Sequence, residues 1–238
     1  MRHSVTTQKL APGLTLLELL LVISIVAMLL SIMVPITSRA RTAAMKVSCK
    51  HNLRQINLAF FYYLTDNNQR YPCAQDPQQG GYWLWMGRWR SFVASYLAGQ
   101  ISEDRSTVLV CPQDIRNQPG YEAFSYAYSM SFYHSNEQIN QATSPADAFM
   151  IVRPSVPRSS GQVAHPAGKI LIGEWYSNHR PVADDQGWWC WAGQRNYLFA
   201  DGSIAWIDAK QIRPARDGLP DPHLTVDGLA GVDRPASR

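Results

Sequence analysis

The chain has 238 residues, 46% of them hydrophobic and only 17% charged, with a net charge of +4. This composition excludes a disordered chain and leaves room for one membrane segment plus one globular domain with its own core. The basic excess is too small to argue for nucleic acid, and no nucleic-acid motif is present.

The first predicted element follows a short leader, 1–13, which carries Arg2 and Lys9 and ends in Pro12-Gly13. From Leu14 to Val34 the chain is apolar almost without interruption, Glu18 being its only charge and Pro35 marking its end. That length is close to the ~20 residues that span a bilayer as a helix. A secretory signal has a shorter apolar core, roughly 7–15 residues, followed by a small-residue cleavage site. Here Pro35-Ile36-Thr37-Ser38-Arg39 follows instead. A plain signal anchor accounts for the leader and the apolar run but gains nothing from Glu18. A carboxylate near the start of a membrane helix is expensive and points to a partner. Pro35 has no N–H and crowds the preceding turn, so it is expected to bend or loosen the helix.

Gly13-Leu14-Thr15-Leu16-Leu17-Glu18 resembles the processing signal of type IV prepilins and type II secretion pseudopilins. The resemblance implies that a prepilin peptidase cuts after Gly13 and N-methylates Leu14. Glu18 then matches the family's glutamate and Pro35 its helix-bending proline, both serving assembly. Leu14, where the family usually has Phe or Met, and Pro12 beside the cut depart from the pattern. Cleavage creates an α-amine at Leu14, which the Glu18 carboxylate of a neighbouring subunit can meet. In low dielectric such a pair is favourable only when both partners are present, so it can set the register of packing.

Beyond Pro35 the helix is expected to continue to about Leu64; from Leu14 to Asp66 it would be roughly 80 Å long at ~1.5 Å per residue. Ile36, Ala40, Ala43 and Val47 form one apolar stripe; Cys49, Leu53, Ile56, Phe60 and Tyr63 form a second, roughly opposite. Either the two stripes serve neighbouring subunits and the chain's own head, or the helix is buried on both sides. Arg39, Arg41, Lys46, Lys50 and Arg54 lie along this half. Taken alone, the positive-inside tendency would put them in the cytoplasm, whereas the leader class puts the C-terminal part outside the inner membrane. On a helix they can equally form a solvated or headgroup-facing side.

Cys49 through Ala59 (CKHNLRQINLA), Tyr71-Pro72, Cys111-Pro112-Gln113-Asp114, Ser125-Tyr126, Ser129-Met130 and Asn196 through Ser203 (NYLFADGS) also resemble large pseudopilin-like proteins abundant in planctomycetes. The likenesses reach to about residue 207. That group often has a histidine where this chain has Trp191. Together, pattern and resemblance imply an α+β fold: a long N-terminal helix, its first half transmembrane, packed on a small antiparallel β-sheet head as in pilins. The expected divisions are 1–13 leader, 14–35 transmembrane half-helix, 36–66 periplasmic half-helix, 67–212 β-rich head and 213–238 loop-like tail.

Within the head, Trp83–Leu97 reads as a short helix or a strand pair. Thr107–Cys111, Lys169–Trp175 and Phe149–Val152 read as strands, Lys169–Trp175 as a central one. Pro154 to Pro166 should be a loop. Asp201-Gly202 signals a two-residue hairpin with φ > 0 at both positions. From Arg213 onward Pro, Asp and Gly dominate, so poor order is expected.

The four cysteines lack C-x-x-C spacing and the histidines are scattered, so no zinc signature is present. An oxidising compartment permits three disulfide pairings. The family pattern favours Cys49–Cys111, leaving Cys73–Cys190 as the second, or one or more free and buried. No cofactor is expected, although Asp184, Asp185 and Asp201 are candidate calcium ligands. No hydrolase, zincin or phosphate-loop motif is present, and an enzyme is not expected. Glu174 with Asp184 or Asp185 as a glycosidase pair is less favoured than a strand end and its polar loop. Trp188, Trp189 and Trp191 cannot all share one strand face; a ring offered to a ligand is the less favoured reading, packing in the core the more favoured. The expected function is a pilin-like subunit whose partners are the peptidase, other pilin-like subunits and the inner membrane. The alternative is a membrane-tethered extracytoplasmic protein binding glycans or other ligands.

Overall fold

A computed structural model of the chain describes residues 15–75, 78–79, 82–97, 108–114, 125–142, 144 and 155–235. Two compact units divide the chain, Met1–Thr42 and Ala43–Arg238. Helix α1, Leu16–Asp66, begins in the first. Its start is a reciprocal cap: the Glu18 amide donates to Thr15 Oγ1 at 3.2 Å, and the Thr15 amide donates to Glu18 Oε2 at 2.9 Å. Every described residue from Thr15 to Ile36 is exposed. α1 is not interrupted at Pro35. Just beyond the ring, the Thr37 hydroxyl donates to the carbonyls of Met33 and Val34, keeping its polar group within the turn.

In the second unit α1 presents one buried stripe, Cys49, Leu53, Ile56, Ala59 and Phe60, with Tyr63 half-buried beyond it. This matches the second stripe expected from the sequence. Burying each large apolar side chain contributes about 1.5–3 kcal/mol. The other stripe, Ile36, Ala40, Ala43 and Val47, is exposed throughout. Arg39, Arg41 and Arg54 are exposed too, while Lys46 lies 4.9 Å from the centre of the Trp206 ring. The helix stops where Asn68 and Gln69 turn left-handed, at φ 53° and 58°, and the Gln69 amide returns to the Leu64 carbonyl at 2.7 Å.

Four antiparallel strands make the sheet in the order β3 (Tyr126–Tyr128), β4 (Ile170–Glu174), β5 (Gln194–Phe199), β6 (Ile204–Asp208). A two-stranded ribbon, β1 (Gln78–Gln79) and β2 (Tyr82–Trp83), precedes it. Strand alternation puts Tyr126, Tyr128, Ile172, Glu174, Asn196, Leu198 and Trp206 on one face. That face meets α1: the Tyr126 hydroxyl reaches the Cys49 carbonyl at 3.5 Å, and the Tyr128 and Phe60 rings are 5.6 Å apart. The opposite face carries Gly173, Arg195 and Tyr197, against which Trp188 packs. Because both faces are covered, β4 can carry the unbroken apolar run Ile170-Leu171-Ile172 as a central strand.

The β5–β6 connection differs from the two-residue turn expected at Asp201-Gly202. The Phe199 amide donates to the Ser203 carbonyl and the Gly202 amide to the Phe199 carbonyl, each at 2.9 Å. Three residues therefore form the loop, and only Gly202 is left-handed, at φ 85°. Asp201 does not take a positive φ, and its carboxylate accepts from the Ser203 amide and hydroxyl, at 2.9 and 2.6 Å. A Cβ on Gly202 would come within 2.8 Å of Asn57 Nδ2 on α1. Gly202→Val is expected to cost about 1–3 kcal/mol. A urea midpoint equal to that of the parent would refute this.

Other expectations are corrected or resolved. Residues 108–114 form turns rather than the strand expected at 107–111, because Cys111 ties them to α1 and Asn52 Nδ2 donates to the Val110 carbonyl at 3.0 Å. The segment after β2 is helical: a π-turn at Leu84–Arg88, then α2 (Arg90–Val93) and a 3-10 turn at Ala94–Leu97. Residues 155–166 form a loop with short 3-10 turns. The strand expected at 149–152 lies outside the described residues. Residues 213–235 lack strands but are packed, rather than poorly ordered as expected: Leu224, Leu229 and His223 are fully buried, and Asp221 and Asp233 nearly so.

Candidate functional site

The processing residues Gly13 and Leu14 lie outside the described residues. Glu18 is exposed, and its carboxylate closes the cap with Thr15. α1 is the one helix among the described residues long and apolar enough to cross a membrane.

In the head, β4 ends in Glu174, which strand alternation aims at the α1 face, and the following turn brings His179 back over it. His179 Nε2 lies 3.0 Å from Glu174 Oε1 and 3.5 Å from Cys111 Sγ, while Nδ1 lies 2.8 Å from Gln113 Oε1. Cys111 is in disulfide linkage with Cys49 of α1, as the family pattern implied. Glu174 also accepts from the Asn196 amide and side chain, both at 2.9 Å. The ligand atoms of Cys49, Cys111, Glu174 and His179 all lie within 4.8 Å of one another, and all four residues are buried. The sequence showed Glu174 and His179 five residues apart at a strand end, but gave no sign that two cysteines would join them.

Family models, curated proteins and solved structures were compared with the chain, and none matches.

The remaining candidates separate. Cys73 and Cys190 form no disulfide and are half-buried: Cys73 lies beside Ser155, whereas Cys190 Sγ accepts from the Gln186 amide at 3.4 Å. The expected Cys73–Cys190 bond is not formed. Burial raises the Cys73 thiol above its ordinary pKa. Asp184, Asp185 and Asp201 do not gather into a ligand group among the described residues. Asp185 instead pairs with buried Arg195 at 2.7 Å, and Asp201 is held by Ser203. Glu174 pairs with His179 rather than with either aspartate. Trp188 is buried and Trp189 half-buried, leaving Trp191 exposed, at 39%.

Further buried charged and titratable groups were not singled out from the sequence. Lys169, just before β4, faces Asp233 at 3.2 Å and Thr225, both in the C-terminal segment. Burial lowers the Lys169 pKa, and the Asp233 charge opposes that shift. His134 follows β3, and burial drives its pKa from 6.5 down to about 4. Between those values the unfolded chain holds a proton that the folded head excludes. Stability therefore falls as pH drops from 6.5 to 4, by about 3 kcal/mol for the full shift. His223 acts in the same sense, since burial lowers its pKa and its Nδ1 accepts from the Met130 amide. Asp221 opposes them, its carboxyl being pushed up by burial. Substituting His134→Gln is expected to flatten the acid side of the urea-midpoint profile. Parallel profiles for parent and variant would rule out this assignment.

Proposed function

We propose that this chain is a pilin-like structural subunit, cut after Gly13 and N-methylated at Leu14 by a prepilin peptidase. It is held in the inner membrane by the apolar half of α1, with its head on the extracytoplasmic side. It polymerises with other pilin-like subunits through that helix, in a type II secretion pseudopilus or a type IV pilus-like assembly. The observation that carries this reading is one helix with two halves of different use. From Leu16 to Ile36 it exposes apolar side chains with Glu18 as the sole charge, while its second half buries a stripe in the head. An apolar surface of that length calls for lipid or a neighbouring helix. The Cys49–Cys111 disulfide suits an oxidising compartment around the head.

Intact mass and N-terminal sequence of the protein from its membrane fraction test the processing step. The expected mature chain begins at N-methyl-Leu14; a chain retaining Met1–Gly13 would sink the proposal. Glu18→Ala is then expected to leave membrane insertion intact and to abolish the ladder of cross-linked subunits. An unchanged ladder would remove Glu18 from assembly. The tethered-binder alternative now rests on one exposed ring of the tryptophan cluster, Trp191.

A further inference from the structure

Cys49 comes from α1, Cys111 from the turns at 108–114, Glu174 from the end of β4 and His179 from the loop beyond. Their ligand atoms converge to within 4.8 Å in a fully buried place. We propose that these four residues form a redox-gated Zn²⁺ site, closed as a disulfide when oxidised and occupied by zinc once the sulfurs are reduced.

Two thiolates, one imidazole nitrogen and one carboxylate oxygen are a donor set suited to four-coordinate zinc. With zinc–ligand bonds of ~2.0–2.3 Å, neighbouring donors of a tetrahedron lie roughly 3.3–3.8 Å apart. Cys111 Sγ and His179 Nε2 are 3.5 Å apart, and His179 Nε2 and Glu174 Oε1 are 3.0 Å apart. Closing a tetrahedron needs side-chain adjustments of a few tenths of an ångström at these two edges, about 1 Å of closure for a donor pair at the 4.8 Å limit, and separation of the two sulfurs.

The partners of the ligands do not depend on the S–S bond. Asn196 holds Glu174 from β5 through its amide and side chain. Gln113 meets the far nitrogen of His179, and Asn52 anchors the Val110 carbonyl next to Cys111. Such outer contacts orient metal ligands and fix the imidazole. They are expected to keep the cluster assembled when the bond opens.

A dithiol reductant would open the site. One of its sulfurs attacks Cys49 or Cys111, the S–S bond breaks, and the pair takes up two electrons while the dithiol departs as its own disulfide. Both cysteines end as thiols, and Zn²⁺ displaces their protons as it binds. Two thiolates beside Glu174 would not stay ionised in this buried place without a cation, so metal and thiolate arrive together. Pro112 is exposed and Gln113 half-buried, so the cover over Cys111 is one residue deep.

The test uses the full chain in detergent, carrying Cys73→Ser and Cys190→Ser so that only the proposed pair can supply thiolate. The protein is reduced with a phosphine without oxygen and titrated with Co²⁺, then with Zn²⁺. One Co²⁺ per chain is expected, with tetrahedral ligand-field bands and thiolate-to-cobalt charge transfer that Zn²⁺ abolishes. The oxidised protein should show neither. His179→Asn and Glu174→Gln, whose folding is checked in the disulfide form, should each weaken binding by at least the ~10–100-fold that outer-shell changes cost. Absence of charge transfer in this reduced, folded chain would overturn the proposal, as would bands indifferent to His179→Asn. So would a reduced chain that unfolds and does not regain its native circular dichroism with Zn²⁺.

Discussion

Deleting residues 213–238 is expected to unfold the head rather than trim it. The segment supplies Leu224 and Leu229 to the core, and burial of each contributes about 1.5–3 kcal/mol. It also supplies the charge that faces Lys169. Asp233 lies 3.2 Å from Lys169 Nζ, accepts from the Ile170 amide at 2.7 Å and meets Thr225. The Asp233 and Arg234 amides both bind the Gly168 carbonyl, so the chain end is tied to the first residues of the central strand. Removing one partner of a buried ion pair costs about 3–5 kcal/mol, because the other charge stays buried and unpaired. Added to the lost burial, this reaches the ~5–15 kcal/mol that holds a domain together. Asp233→Ala alone should lower the unfolding free energy by about 3–5 kcal/mol, and Lys169→Met in the same chain should recover much of it. Near-UV circular dichroism and urea titration of the full chain read both effects. A truncated chain with the parent's near-UV spectrum and midpoint would refute the account.

Asp185→Ala is expected to be nearly as damaging, by about 3–5 kcal/mol, through the charge it strands. Arg195 is fully buried on β5 and donates from all three nitrogens: Nε to the Trp175 carbonyl at 3.2 Å, Nη1 to Ala192 at 3.1 Å, and Nη2 to Asp185 and Gly187 at 2.7 and 2.9 Å. Asp185 in turn accepts from the Ser177 amide and hydroxyl and from the Gly187 amide. The pair thus fixes the loop carrying Trp175 and Trp188, whose rings lie 6.0 Å apart. Arg195→Lys should fail to rescue stability, because an ammonium cannot reproduce the planar fork. Tryptophan fluorescence against urea is the measurement. A lysine variant with the parent's midpoint would show that charge alone suffices.

Much of the scaffold was legible in the sequence because it is written in local period. The repeat of Cys49, Leu53, Ile56 and Phe60 marks the face of α1 that enters the core, and a helix face follows from 3.6-residue spacing alone. Lys169–Trp175 reads as a central strand because its run Ile170-Leu171-Ile172 is unbroken and apolar, as in a strand covered on both faces. The hairpin's place was legible in Asp201-Gly202, but not its length. That depended on Asp201 bonding Ser203, a competition between a side chain and a turn type.

What the sequence by itself determined is therefore the long helix with its exposed apolar half and lone acid, the face of its second half that is buried, and the central strand. The tertiary structure decided which distant side chains meet. It brought His179 and Glu174 to Cys49 and Cys111, left Cys73 and Cys190 apart, turned 108–114 away from the sheet and packed a Pro- and Gly-rich end against Lys169. The division has a physical cause. Periodicity reports whether a residue is buried, since burial recurs with the geometry of its own helix or strand. Pairing depends on where other elements place their atoms, and a polar side chain carries no local mark of a partner some sixty residues away, as for Lys169 and Asp233 or Cys49 and Cys111.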